Sequence, residues 1–298
     1  MAGVGKRRPY ISVELLRRIT WTTILHRVAW PALGLLAGCA APGDAPPPRA
    51  RAATQQARAG EAAYLVGHPA EAVSALSEAV RLHLAAGDLP RAAHGLVNLA
   101  LAQRAAGDAA GAAGTAARLR ELAPAARQQA GERAGKKNEA AGLELGAATA
   151  WLDALLALDR GETATAASLL VAVTVTLPAA SPWPGRIATL RADVALAEGR
   201  TADALALART GVAACAAARD RSEEARAHRL MAGAHMRLAQ WSEARASLLA
   251  AVRLEETLGA GERMARDLEQ LAAIAEKLGD AAAAQLYAAR ARAIGSAR

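Results

Sequence analysis

Phenylalanine is absent from the 298 residues, tyrosine occurs three times and tryptophan five times. Strands need alternating β-branched and aromatic residues, and that pattern is nearly missing, so a sheet-based core is excluded. Two cysteines, Cys39 and Cys215, cannot supply the framework of a disulfide-stapled domain. There is no Gly-rich phosphate loop, no His-Glu-x-x-His, no Cys-x-x-Cys and no nucleophile elbow. These absences point away from nucleotide, zinc and triad chemistry, and no cofactor is expected. Alanine, the best helix former, makes up more than a quarter of the chain. An all-α protein whose helices approach closely follows.

The amino terminus reads as an address. Val28 to Gly38 is an uncharged, mostly apolar run of 11 residues, preceded by Lys6, Arg7, Arg8, Arg17, Arg18 and Arg27. A membrane span needs about 20 apolar residues; a secretory signal needs a basic region, a shorter apolar run and small residues at the cut. The quartet Leu36-Ala37-Gly38-Cys39 resembles the lipobox of bacterial lipoproteins. The resemblance implies a signal peptide over 1–38, removed at the membrane, and a lipid on Cys39. Alanine after the cysteine implies sorting to the outer membrane, facing the periplasm. Residues 39–51, with Pro42, Pro46, Pro47 and Pro48, are expected to form an extended tether between lipid and folded domain.

The net charge of +8 and the isoelectric point near 10.3 suggest a polyanion as partner. Residues 1–38, however, hold six Lys/Arg and one Glu, which leaves 30 basic against 27 acidic groups. With so little excess charge and so few stacking aromatics, nucleic acid is not an expected partner.

From about Thr54 the chain repeats, which decides the architecture. A helix, a turn glycine and a second helix with a small residue five places after the glycine recur at Gly67/Ala72, Gly107/Ala112, Gly161/Ala166, Gly199/Ala204, Ala239/Ala244 and Gly279/Ala284. Seven places before each turn lie Gly60, Ala100, Ala154, Ala192, Ala232 and Ala272; twelve after it lie Ala79, Leu119, Val173, Gly211, Ala251 and Ala291. Pro124 and Pro178 stand seventeen after two of the turns. These positions resemble the tetratricopeptide repeat. The resemblance implies an α-solenoid of about six helix-turn-helix repeats over 52–298, with proline closing the unit, though the missing large aromatics leave the class of solenoid open. Leu76, Leu82, Leu96, Leu99, Leu170, Leu248, Leu268 and Leu271 are expected to fill the seams between units. One 54-residue step contains Ala125 to Asn138, rich in Gln, Lys, Arg and Gly, which is expected to be an exposed loop.

Two polar groupings compete for a functional role. His228, Met231, His235 and Met236 share a helical face, and His with Met suits soft copper. The expectation is packing between helices, with a metal carrier or envelope enzyme as the alternative. Cys215, in an alanine-rich run, is expected to be a buried apolar side chain. In tetratricopeptide arrays the first helix of each unit lines the concave face. That pattern places His94, Arg104, Trp151, Arg186, Asp193, Arg226, Arg229, Met236, Arg237 and Arg266 in a peptide-binding groove. Arginine's planar fork suits carboxylates, so an acidic or carboxyl-terminal peptide segment is the expected guest. Arg226, Arg229 and Arg237 are expected to be exposed along one stripe, where replacement by Glu would spare the fold. The function that follows is a membrane-anchored, non-enzymatic scaffold recruiting protein partners to an envelope machine such as a pilus or secretion apparatus. A cytoplasmic regulatory array is the remaining alternative.

Overall fold

The computed structural model describes residues 47–133, 135–173, 177 and 180–296, with the backbone alone at 133 and 135–141. Residues 1–38, Cys39 and Pro178 lie outside the described residues. Among the described residues there are twelve helices and no strand. They are α1 (Pro48–Val66), α2 (Pro69–Ala85), α3 (Leu89–Ala105), α4 (Ala109–Arg133), α5 (Gly135–Asp159), α6 (Thr163–Val171), α7 (Trp183–Ala197), α8 (Thr201–Ala218), α9 (Arg221–Arg237), α10 (Trp241–Leu258), α11 (Gly261–Lys277) and α12 (Ala281–Ser296).

Each helix packs on the next, so the chain forms six antiparallel pairs stacked in order as an all-α solenoid. The repeat turns fall between the members of each pair. All six turn residues have positive φ, from 54° at Ala239 to 89° at Gly67. Glycine enters that region at no steric cost, which is why five of the six are glycine. The small residues seven before and five after each turn are all buried, as a close crossing requires. A Cβ on Gly60 would lie only 2.6 Å from Leu76 Cγ. Leu76, Leu96, Leu99, Leu170, Leu248, Leu268 and Leu271 are buried in the seams, and Leu82 is half-buried while its neighbour His83 takes the inward place.

Alongside these sequential contacts, α1 touches α3, α3 touches α5, α5 touches α7 and α7 touches α9. First helices thus crowd together along one side, and the array curves toward them. The curvature brings the α1–α2 turn against the start of α11: a Cβ on Gly67 would stand 2.7 Å from Glu262 Oε2. Four apolar clusters hold the described residues together, of which two are large. The larger runs through α2–α7 around Leu96, Leu119, Leu152, Trp151 and Leu190, and the smaller joins α9–α12 around Leu248, Leu268, Leu271 and Ile274.

Three expectations are corrected. Ala125 to Asn138 is not a loop: α4 and α5 run 25 residues each and absorb the described part of it as helix. The reason is a stripe at helical spacing, Leu119, Ala123, Ala126 and Ala130, all buried, which continues beneath the polar residues. Pro124 therefore lies inside α4, exposed on the side away from that stripe, and does not close the unit. Residues 48–51, expected to belong to an extended tether, are helical, because Pro48 occupies the first turn of α1, where its missing N–H costs no helical bond. No helix of the described residues is long and apolar enough to cross a membrane.

Candidate functional site

The concave side holds two adjoining cavities built by all six first helices. The first, ≈ 350 Å³, is walled by Tyr64, Leu65, Leu101, Trp151 and Leu155, with Arg104, Arg186 and Arg226 at its edges. The second, ≈ 680 Å³, shares Tyr64, Leu65, Arg104 and Arg226 and extends over Arg229, Arg263 and Arg266 to the Gly67 turn. One end of the channel is thus apolar and the other rich in arginine.

The apolar end is held rigid by its own polar contacts. Trp151 is buried, meets Trp183 edge to face at 5.8 Å between centroids, and donates its indole N–H to the carbonyl of Arg186 at 3.1 Å. The Arg186 guanidinium stacks 5.1 Å from the Trp183 ring centre and donates to Asp220 at 2.8 Å. Asp220 also caps α9 by accepting from the Glu223 amide, so one carboxylate fixes both a helix start and an arginine.

At the other end the expected supply of free cations is largely committed. Arg226 donates to Asp193 at 2.6 Å and to Glu223 at 2.8 Å. Arg104 is held by Asp159 in a two-point pair. Arg229 reaches behind the channel wall to Glu255 and, at 3.4 Å, to Asp267. Both carboxylates are buried, with about 1% of their surface exposed. Arg263 lies 3.7 Å from Glu255, and its Nη2 is buried with no hydrogen-bond partner among the described residues, as is Glu255 Oε2. Arg266 is exposed and makes no ion pair among the described residues. Burial raises the pKa of Glu255 to about 7, assisted by the Asp267 charge and opposed by Arg229 and Arg263. Burial raises Asp267 as well.

Of the ten residues read from the sequence, Arg104, Trp151, Arg186, Arg226, Arg229 and Arg266 line these cavities, and Asp193 stands behind Arg226. Three are elsewhere. His94 is exposed, with Nδ1 2.8 Å from the Pro90 carbonyl. Met236 packs against the α9–α12 cluster. Arg237 donates to the Leu196 carbonyl, tying α9 to α7, so it shares no stripe with Arg226 and Arg229. Arg229 is not a free surface charge either, and replacing it by Glu would set three carboxylates together. Tyr64, Leu65 and Arg263 belong to the site and were not read from the sequence. Tyr64 was findable, since it stands three before its turn, as Arg104 does.

The His/Met grouping is divided by its partners. His235 is buried with Nδ1 2.7 Å from Gln240 Oε1, and burial lowers the pKa of the half-buried His228. Cys215 is buried, and its thiol is pushed up to about 12, chiefly by burial and then by Glu223 and Asp220, so it is held protonated at neutral pH.

No protein-family model and no curated protein matches the sequence. Among solved structures, BtubC (BKLC) from P. vanneervenii is similar over 85% of this chain and 92% of that one, at 16% identity and a TM-score of 0.49.

Proposed function

We propose that this chain is a lipid-anchored, tetratricopeptide-type scaffold of a bacterial envelope that captures a protein partner in its concave channel and performs no chemistry of its own. The observation that carries this reading is the convergence of six first helices on one channel, apolar at one end and arginine-bearing at the other. Such a surface suits an extended segment that offers an apolar side chain to the Tyr64–Trp151 end and a carboxylate, from an acidic residue or a chain terminus, to the Arg266 end. The anchor and the outer-membrane, periplasm-facing location rest on the resemblance of Leu36 to Cys39 to a lipobox.

Affinity capture from membranes solubilised in mild detergent tests the reading. The wild type should bring down a defined partner, and Tyr64→Ala with Arg266→Glu should lose it while keeping the helical content of the wild type. Undiminished capture by that pair would move the working surface off the channel. Alkyne fatty-acid labelling of cells, with Cys39→Ser as control, tests the anchor; an unlabelled wild type would remove it.

A further inference from the structure

The arginine end of the channel does two things at once. Arg229 and Arg263 line the second cavity, and the same two side chains face the buried carboxylates of Glu255 and Asp267. We propose that Arg229, Arg263 and Arg266 form a carboxylate-binding site whose occupation draws a proton onto the Glu255–Asp267 pair behind it. This rests on the channel being the working surface.

The argument is one of charge in a poorly hydrated place. The groups facing Glu255, itself on α10, are Arg229 from α9 and Arg263 and Asp267 from α11, with Arg266 acting on Asp267. From α12, Arg290 is held instead by the exposed Glu256. With Arg266 and the Glu262 carboxylate, which also line the second cavity, three guanidiniums against three carboxylates are neutral when all the acids are ionised. A guest carboxylate drawn to the unpaired Nη2 of Arg263 and to Arg266 makes the set one charge too negative, and it weakens the hold of the arginines on their buried acids. Uncompensated charge is costly where water is excluded, and one proton restores the balance. The near miss at Arg263 favours this: its Nη2 and Glu255 Oε2 are both buried and both unpartnered. The arginine is therefore not locked to the acid and can turn toward a guest. By linkage, whatever proton the guest draws in, low pH returns as affinity. Glu255 gives up its proton as pH passes about 7, so the dependence should appear above neutrality.

The probe is blocked hexaglutamate, titrated into the full-length protein in mild detergent by calorimetry at pH 6 and pH 8. Two buffers of different ionisation enthalpy are used at each pH. Binding should be several-fold weaker at pH 8, and up to one proton should be taken up per peptide at that pH. Glu255→Gln imitates the protonated state, so it should bind equally at both pH values without proton uptake. Arg266→Ala should weaken binding at both. Equal wild-type affinity at the two pH values with no proton uptake overturns the linkage, and the wild-type calorimetry decides this even if Glu255→Gln folds poorly. Capture of the protein partner without any hexaglutamate binding overturns the carboxylate site and leaves the channel reading standing. Loss of partner capture with hexaglutamate still bound overturns the channel reading alone.

Discussion

The middle of the array and its last two units obey the same repeat geometry and both have an apolar core, but the last two add a buried seam of charge. Between α3 and α7 the seams are closed by Leu96, Leu119, Leu152, Leu190 and two tryptophans. Between α9 and α11 a seam is closed by two carboxylates and two arginines. The contrast is clearest at one repeat position, sixteen after the turn residue, where His83, Ala123, Cys215 and Glu255 are all buried. Stacking puts this place inside in four of the six units, whatever side chain occupies it, while Leu177 is half-buried and Gly295, in the last unit, is exposed. An apolar occupant gains from burial; a carboxylate depends on its partners. The middle, whose ion pairs are partly exposed, should thus be less sensitive to pH and charge than the end.

The largest effect should come from removing Arg229. Breaking a buried ion pair by taking one partner away costs about 3–5 kcal/mol, and Arg229→Ala leaves Glu255 and Asp267 facing each other. At the centre, Arg104→Ala removes a pair to Asp159 that is partly exposed on both sides and should cost no more than about 1 kcal/mol. The sign of the pH dependence follows from the raised pKa values. A carboxyl whose folded value lies above its unfolded one stabilises the fold when protonated, and this contribution is lost as pH rises through the folded value. For Glu255 that window runs from about 4.5 to about 7. Melting temperature should therefore fall between pH 5 and pH 8 in the wild type, and Arg229→Ala should be hurt more at pH 8 than at pH 5. Equal losses for the two arginine variants at pH 8 would erase the distinction between the regions.

Overpacking asks what the regions share. Ala154 in the middle and Ala232 and Ala272 at the end stand seven before their turns, and Ala244 five after its own, all at buried places where helices nearly touch. Leucine at each should cost about 1–3 kcal/mol in thermal unfolding. A middle region that tolerates leucine while the end does not would show that the end is the tighter of the two.

The spacing of turns and small residues made the pairing and the buried alanines legible, because those depend on backbone approach alone, whereas the side that is concave was implied only by the resemblance to the tetratricopeptide repeat. Side-chain commitments were not legible. Arg229 and Arg237 read as members of one charged stripe, yet the first is drawn back to buried acids and the second to a backbone carbonyl. The α4–α5 extension was misread because polar composition was weighed above the alternating four- and three-residue spacing of Leu119, Ala123, Ala126 and Ala130. Composition reports the exposed side of a helix as readily as a loop, whereas periodicity separates the two.

The smallest expected effect concerns that extension, where Ala123 and Ala126 carry the apolar seam of the middle onward. Gln129, in the added length of α4, donates to the Gly87 carbonyl at 2.8 Å and accepts from the Leu89 amide at 3.0 Å. It pins the extension to the α2–α3 turn by supplying a partner to a helix-start amide that α3 cannot satisfy itself. Gln129→Ala removes both bonds, each contributing about 1 kcal/mol or less at a partly hydrated site. Unfolding should therefore shift by about 1 kcal/mol, and amide exchange at Leu89 should quicken. Ala125→Leu, on the exposed side of the same helix, should stay within about 0.5 kcal/mol of the wild type. If Ala125→Leu proved as costly as Gln129→Ala, the exposed side of α4 would be covered by something else, and the extension would have to be treated as a third buried seam.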